Sequence, residues 1–355
     1  MKTILGILSF LLLILSGCAP ETGSKASPQM RTSRLVYILN SGDNTIGQFR
    51  LNTSGNLEAL TIPTVATGSC PRMMVMDKKG EHVYVGNYCD DTISQFQVGQ
   101  DGALSEIGAP VSIPALAEAM VLSPDGRFIY TTSFQDRSIS RYQINTDGTL
   151  SLVGATSHPD VPLNLIFSPS GKYVYVASLA IDDITQYEVH SDGSLSLLSP
   201  ATVPTQSCPS GPLGVKTVQG HDYVYVLSCA GAQIENYKIG TDGALSSQGV
   251  VTTGLFPINF AFTSMNVYTA NIGDASISSY SIQVNGELQN LSQISIPAGL
   301  TPENVEVDEL NNEVYILDSF SNKILRYAKN VGGTLRSEPN LVIDSGATPS
   351  RILFK

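Results

Sequence analysis

Residues 84–104 read YVGNYCDDTISQFQVGQDGAL: Tyr84, eleven residues, the aromatic Phe96, five residues, Gly102, one residue, Leu104. The same frame occurs seven times, starting at Tyr37, Tyr84, Tyr130, Tyr175, Tyr225, Tyr268 and Tyr315. Its middle aromatics are Phe49, Phe96, Tyr142, Tyr187, Tyr237, Tyr280 and Tyr327, and an isoleucine stands three residues before each of them. Successive frame tyrosines are 43 to 50 residues apart, a period that signals repeat architecture. All of the variation falls between one frame leucine and the next tyrosine, so the frame itself is rigid.

Each repeat reads as four strands. Val36-Tyr37-Ile38-Leu39 is rich in β-formers, and Thr45 to Leu51 follows as a second such run. Asp-Gly at residues 101–102, 147–148, 192–193 and 242–243 suits a hairpin, because glycine accepts positive φ without a Cβ clash. A further strand precedes each tyrosine and usually opens on a proline: Pro71, Pro162, Pro212, Pro257, Pro302 and Pro349. Four-stranded sheets at this period, set radially, make an all-β, seven-bladed propeller. The chain starts on a tyrosine-type strand and ends, at Pro349–Phe354, on a strand of the type that precedes one. Closure is therefore expected to pair the C-terminal strand with the N-terminal blade, which removes an exposed sheet edge.

Composition narrows the partners. The chain has 355 residues, is 42% hydrophobic and only 14% charged, and carries a formal charge of -11. That balance suits a buried globular body and argues against nucleic acid, which needs clustered Lys and Arg. Residues 1–18 read as a leader: Lys2, an apolar run from Ile4 to Leu15 too short to span a bilayer, and Leu15-Ser16-Gly17-Cys18. That ending resembles the bacterial lipobox, which implies a lipid on Cys18; the alternative is a secretory signal with an incidental cysteine. With Ala19 next, the resemblance implies an outer-membrane location, on the periplasmic side or the surface. Residues 19–33 are polar and read as a tether, leaving 34–355 as the propeller. The only membrane contact expected is through the anchor.

Four cysteines remain. Cys70 and Cys208 each precede a first strand, while Cys89 and Cys229 each end a second strand. These places lie side by side in an up-and-down hairpin, so Cys70–Cys89 and Cys208–Cys229 disulfides are expected in an oxidising compartment. A metal site is the alternative, disfavoured because the two pairs lie three blades apart.

At Val83-Tyr84-Val85-Gly86-Asn87 and Val174-Tyr175-Val176-Ala177-Ser178 the sequence resembles the YVTN-type repeats of lactonase-like seven-bladed propellers. Thr92-Ile93-Ser94-Gln95-Phe96 and Ser123-Pro124-Asp125-Gly126 also match, and the resemblance covers residues 35–355. The family includes bacterial phosphogluconolactonases, fungal relatives that form or open lactone rings, and exported members without established chemistry. In its enzymes a histidine typically follows the proline that opens a first strand, with Arg and Glu nearby. Here those positions hold Arg72, Leu163, Leu213, Ile258, Glu303 and Ser350, with Glu118 in the repeat that lacks the proline. None is histidine. His82, His190 and His221 fall at the far end of the blades, and only His158 falls near the mouth.

Starts of first strands and ends of second strands meet around the channel of a propeller. That face collects Arg72, Glu118, Asn164, Asn259, Glu303, Asn304 and Arg351. Two guanidinium groups flanked by carboxylates suit a carboxylate or phosphate ligand, because arginine donates in a planar fork. The same groups can also neutralise one another. Lactone hydrolysis needs a general base, for which Glu118, Glu303 and His158 are the candidates. No nucleophile elbow, Walker loop, zinc-binding histidine pair or dinucleotide fingerprint is present, so neither cofactor nor metal is expected. Asp90-Asp91 and Asp182-Asp183 read as turn residues, with calcium as the alternative. The expectation is a lipid-anchored, extracytoplasmic binding module for a protein partner or a small anionic ligand. The runner-up is a lactonase-type hydrolase, and the third reading is a scaffold subunit of an envelope complex that uses the rim of the disc.

Overall fold

The computed structural model describes residues 33–178, 182–206, 209, 211–228 and 230–355. Cys18, Cys208 and Cys229, with the expected leader and most of the tether, lie outside the described residues. The described chain forms seven antiparallel sheets in ring order. Blade 1 is Pro349–Phe354, Arg34–Asn40, Thr45–Leu51 and Leu57–Ala66, so the last strand of the chain is the innermost strand of the first blade. Blades 2 to 7 open on strands Pro71–Met76, Ala117–Leu122, Pro162–Phe167, Leu213–Val218, Pro257–Phe262 and Asn304–Asp308. In blade 2 the outer strand is split, Leu104–Glu106 and Val111–Ser112 both pairing with Thr92–Val98. Closure is direct, with Val36 facing Phe354, Tyr37 facing Leu353 and Leu39 facing Arg351.

The frame is a joint between blades. Each tyrosine ring is buried, and six of the seven hydroxyls cross to the neighbouring blade and donate to the carbonyl of its frame glycine. Tyr268 to Gly333, at 2.7 Å, is representative. The glycines are needed twice over. All seven have φ between 79° and 97°, and a Cβ at Gly102 would stand 2.3 Å from a methyl of Leu35 in the blade before it. Third-strand glutamines add a second tie: Gln48, Gln95 and Gln186 accept from the backbone N–H of the next blade's Leu104, Leu150 and Leu245 at 2.6–2.7 Å.

The seventh joint, between blades 7 and 1, is built differently. Tyr315 donates to Glu313 at 3.1 Å, and the Gly55 carbonyl is taken by the guanidinium of Arg326, which also pairs with Glu313. For an ordinary joint, Tyr268→Phe keeps the ring and strands the Gly333 carbonyl. It is expected to cost about 1–3 kcal/mol, read as a lower urea midpoint; an unchanged midpoint would assign the joint to ring packing alone.

The end of the disc that carries the mouth repeats one backbone feature from blade to blade. The residue before every third strand has positive φ: Asn44, Asp91, Arg137, Asp182, Ala232, Ala275 and Asn322. Cys70, Leu116, Phe256 and Thr348, just before first strands, do the same. Asparagine and aspartate take left-handed backbone readily, but Leu116, Phe256 and Thr348 hold it only where the surrounding structure imposes it.

Candidate functional site: the central channel

The innermost strands leave two adjoining cavities of about 270 and 400 Å³ along the axis. They share Ile166, Pro212, Leu213, Glu306 and Arg351, and every blade contributes lining residues. A cleft of about 240 Å³ at the outer rim, between blades 5 and 6, has Glu287 as its one charged lining residue. In the axial space Glu118, Glu306 and Arg351 from three different blades converge.

Two ion pairs organise it. Arg351, on the C-terminal strand, lies 3.7 Å from Glu306 on the first strand of blade 7. Arg72, on the first strand of blade 2, lies 4.0 Å from Glu118 of blade 3 and covers the ring of Tyr88 at 4.4 Å. Both separations exceed the 2.7–2.9 Å or so of a direct charged hydrogen bond, so neither pair is locked. Glu306 is walled by protein yet reached by water from the channel, its side chain 29% exposed. Burial raises its carboxyl to about 7, while Arg351 pulls the other way and only partly offsets the rise. A carboxyl held near neutrality can be a base in one step and an acid in the next.

The other residues singled out from the sequence fall as follows. Glu118, Asn164, Asn259 and Arg351 line the cavities. Asn164 also donates to the Gly211 carbonyl at 3.2 Å. Arg72 sits at the entrance, its side chain 55% exposed. Asn304 is buried and donates to the Ser350 carbonyl at 2.8 Å, joining blade 7 to the closing strand. Glu303 accepts from Ser319 at the end of its own hairpin, and it is Glu306, not Glu303, that faces Arg351.

His158 is not at the channel. It follows the outer strand of blade 3, is buried, and meets Tyr187 at 2.7 Å and Ser178 at 3.0 Å. Burial pushes its imidazole down to about 4. It stands in for the carbonyl that Tyr142, Tyr237 and Tyr280 find at the corresponding joints, in Ser112, Pro204 and Thr252.

The Cys70–Cys89 disulfide is present, with Cα atoms 5.3 Å apart, bracketing Arg72 and Tyr88 at the entrance. Asp90 and Asp91 serve as turn residues, accepting from the backbone N–H of Ser69 and Leu116. Among the described residues, the one group with metal-like spacing is Asp77, Glu81 and His82. There Asp77 already accepts from the Glu81 N–H and pairs with the His82 ring.

Glu306 had a sequence signal. Across the first and second strands, the residue that faces the frame tyrosine is Leu353, Val75, Val121, Ile166, Gly214 and Ala261 in six blades. In the seventh it is Glu306. One carboxylate in an otherwise uncharged register marks the site.

Comparison with known proteins agrees with this architecture. Residues 31–210 match the family model described as lactonase, 7-bladed beta-propeller. Among solved structures, the periplasmic gluconolactonase of Pseudomonas aeruginosa is similar at TM-score 0.77 and 17% identity, covering 91% of this chain and 99% of that one. A putative 6-phosphogluconolactonase of Bacteroides uniformis gives 0.76 and 21%, covering 91% and 99%. Its counterpart from Bacteroides fragilis gives 0.77 and 18%, covering 95% and 100%. At these identities the likeness speaks for the fold. No curated protein matches the chain.

Proposed function

Because the chain belongs to the seven-bladed β-propeller lactonase family, we propose that its channel opens the ring of a sugar lactone, with Glu306 as general base. The observation that carries this reading is a carboxyl near pKa 7 placed 3.7 Å from an arginine in a cavity. Glu306 takes a proton from a water as that water's oxygen attacks the lactone carbonyl. The carbonyl π electrons move onto oxygen, and the Arg351 guanidinium stabilises that charge. The intermediate then collapses, the bond from the acyl carbon to the ring oxygen breaks, and the ring oxygen recovers the proton from Glu306. The product is a hydroxy acid that releases its carboxyl proton to solvent, and Arg351 continues to hold the carboxylate. Asn164, Asn259 and Glu118 line the space that the sugar hydroxyls would occupy. The solved relatives named for gluconolactone and phosphogluconolactone chemistry support this substrate class.

A binding module is the second reading, favoured by Arg72, whose half-exposed guanidinium over Tyr88 offers itself to an anion without any chemistry. One assay separates the two. Glucono-δ-lactone and its 6-phosphate are offered to the purified protein and acid release is followed above the spontaneous rate. Turnover that falls when Arg351 is replaced by methionine is the expected result. A rate equal to that of buffer, with saturable binding of gluconate, would replace the hydrolase by the binding module. The proposal includes an extracytoplasmic protein anchored through Cys18. The lipobox-like Leu15–Cys18 supports it, as does a disulfide of the kind oxidising compartments preserve.

A further inference from the structure

At the end of the blades opposite the mouth, two neighbouring blades depart from the polar pattern of the rest. The residue two before the frame glycine is Thr53, Gln100, Thr146, Ser191 and Thr241 in blades 1 to 5, but Val284 and Val331 in blades 6 and 7. The residue directly before that glycine is aspartate throughout blades 2 to 5, and Asn285 and Gly332 in blades 6 and 7. The turns between first and second strands change in the same two blades, to Met265 and Leu310. All four apolar side chains face solvent, at 75% and 106% exposure for the valines and 63% and 60% for Met265 and Leu310.

These turns form one surface. The Ser264 N–H donates to Glu309 at 2.6 Å, and Ile282 N–H to the Met265 carbonyl at 2.8 Å. Lys329 N–H donates to the Asn312 carbonyl at 3.2 Å, and Gly333 is packed against Asn266. The described chain enters on the same surface, where the Arg34 guanidinium meets Asp308, two positions before Leu310, at 2.6 Å.

We propose that this surface rests on a lipid bilayer, with Met265, Val284, Leu310 and Val331 dipping into the headgroup region; the inference rests on the anchor at Cys18 proposed above. Scattered apolar side chains on a surface are ordinary, but four on adjoining turns, beside the point where the anchored segment joins the body, match an interfacial contact. Charge agrees. Asp101, Asp147, Asp192 and Asp242 keep blades 2 to 5 away from anionic headgroups, and the sector without them is the one at the chain entry. Of the carboxylates flanking the apolar turns, Glu309 is already held by Ser264, with Lys216 and Lys329 near it, while Glu287 stays exposed beside the Val284 turn. The orientation leaves the mouth open to solvent and substrate. The mouth end also exposes Leu255, Phe256 and Phe320, and a bilayer lying there would cap the channel.

The test is photo-cross-linking of the full chain in vesicles of phosphatidylethanolamine and phosphatidylglycerol doped with an acyl-diazirine lipid. Adducts are mapped by peptide mass spectrometry. Lipid adducts are expected on the peptides that contain residues 265, 284, 310 and 331. They should be lost in the fourfold variant Met265→Ser, Val284→Ser, Leu310→Ser and Val331→Ser, which still floats with vesicles and melts as the parent does. Adducts on the mouth turns around Phe256 and Phe320 would overturn the orientation. So would a floating chain with no adducts on its body, the result expected if a second copy or another protein covers the patch. Failure of the full chain to float at all would overturn the anchor as well as the surface.

Discussion

Glu306→Gln is expected to slow lactone opening by about 10²- to 10⁴-fold, the range over which a positioned general base acts. Glutamine keeps the size of the side chain and an oxygen that can face Arg351, but it cannot take a proton from water. In the parent protein the base form is needed, so kcat/KM should rise as pH increases through about 7 and level off above it. The variant should show no such rise. Stability should move in the opposite sense. The folded carboxyl binds its proton more tightly than the unfolded one, about 7 against the ordinary 4.5. The stabilisation this provides is complete below the unfolded value and is lost as pH rises through the folded value. At pH 8 the parent therefore carries an ionised, poorly solvated carboxylate, and Glu306→Gln should be more stable by at most about 3 kcal/mol. At pH 4 the two should melt alike. Lost activity with gained stability above neutrality separates a catalytic base from a structural residue, whose removal would weaken both.

Removing residues 349–355 is expected to abolish the cooperative melt, at a cost on the order of 5 kcal/mol or more, comparable with the whole stability of many proteins. The deleted strand is the inner strand of blade 1, and its ladder with Arg34–Asn40 is the hydrogen-bonded seam that closes the ring. With it go the burial of Ile352, the mutual backbone bonds of Leu35 and Lys355, and the Ser350 carbonyl that Asn304 binds. The exposed edge of Arg34–Asn40 would then be free to pair with other chains, so aggregation should accompany the loss. A peptide spanning residues 345–355, added in excess, should restore part of the melt. A truncated chain that melts like the parent would show that the ring does not depend on its seam. Arg351 departs with this strand, so the truncation also removes half of the channel's central ion pair.

The fold was legible because a propeller asks the same thing of its sequence seven times. A tyrosine that must reach a glycine carbonyl in the next blade fixes the spacing of both, and Ile46, Ile93 and their counterparts fill the same space between sheets. Closure followed from counting strands, and Cys70–Cys89 from their places in one hairpin. The site was harder to read because it lives in departures from the repeat. Arg72, Glu118 and Arg351 stand near the strand starts where a sequence reader looks, and the structure puts them in or beside the channel. Glu306 lies deeper along its strand, and its partner Arg351 stands on the closing strand of another blade, so only the strand register reveals it. His158 looks like a mouth residue in sequence, yet the chain turns it inward to meet Tyr187. Arg326 replaces a tyrosine–glycine bond with a guanidinium, a swap that spacing alone does not disclose.

The most direct test of the account is the titration of one carboxyl. In protein carrying ¹³C at the glutamate side-chain carboxyls, the Glu306 signal is identified as the one missing from Glu306→Gln and followed from pH 3 to pH 10. A midpoint close to 7 is predicted, shifted further up when Arg351 is replaced by methionine. A midpoint near the ordinary 4.5, unmoved by that replacement, would mean that the channel holds a solvated glutamate and not a base poised for lactone opening.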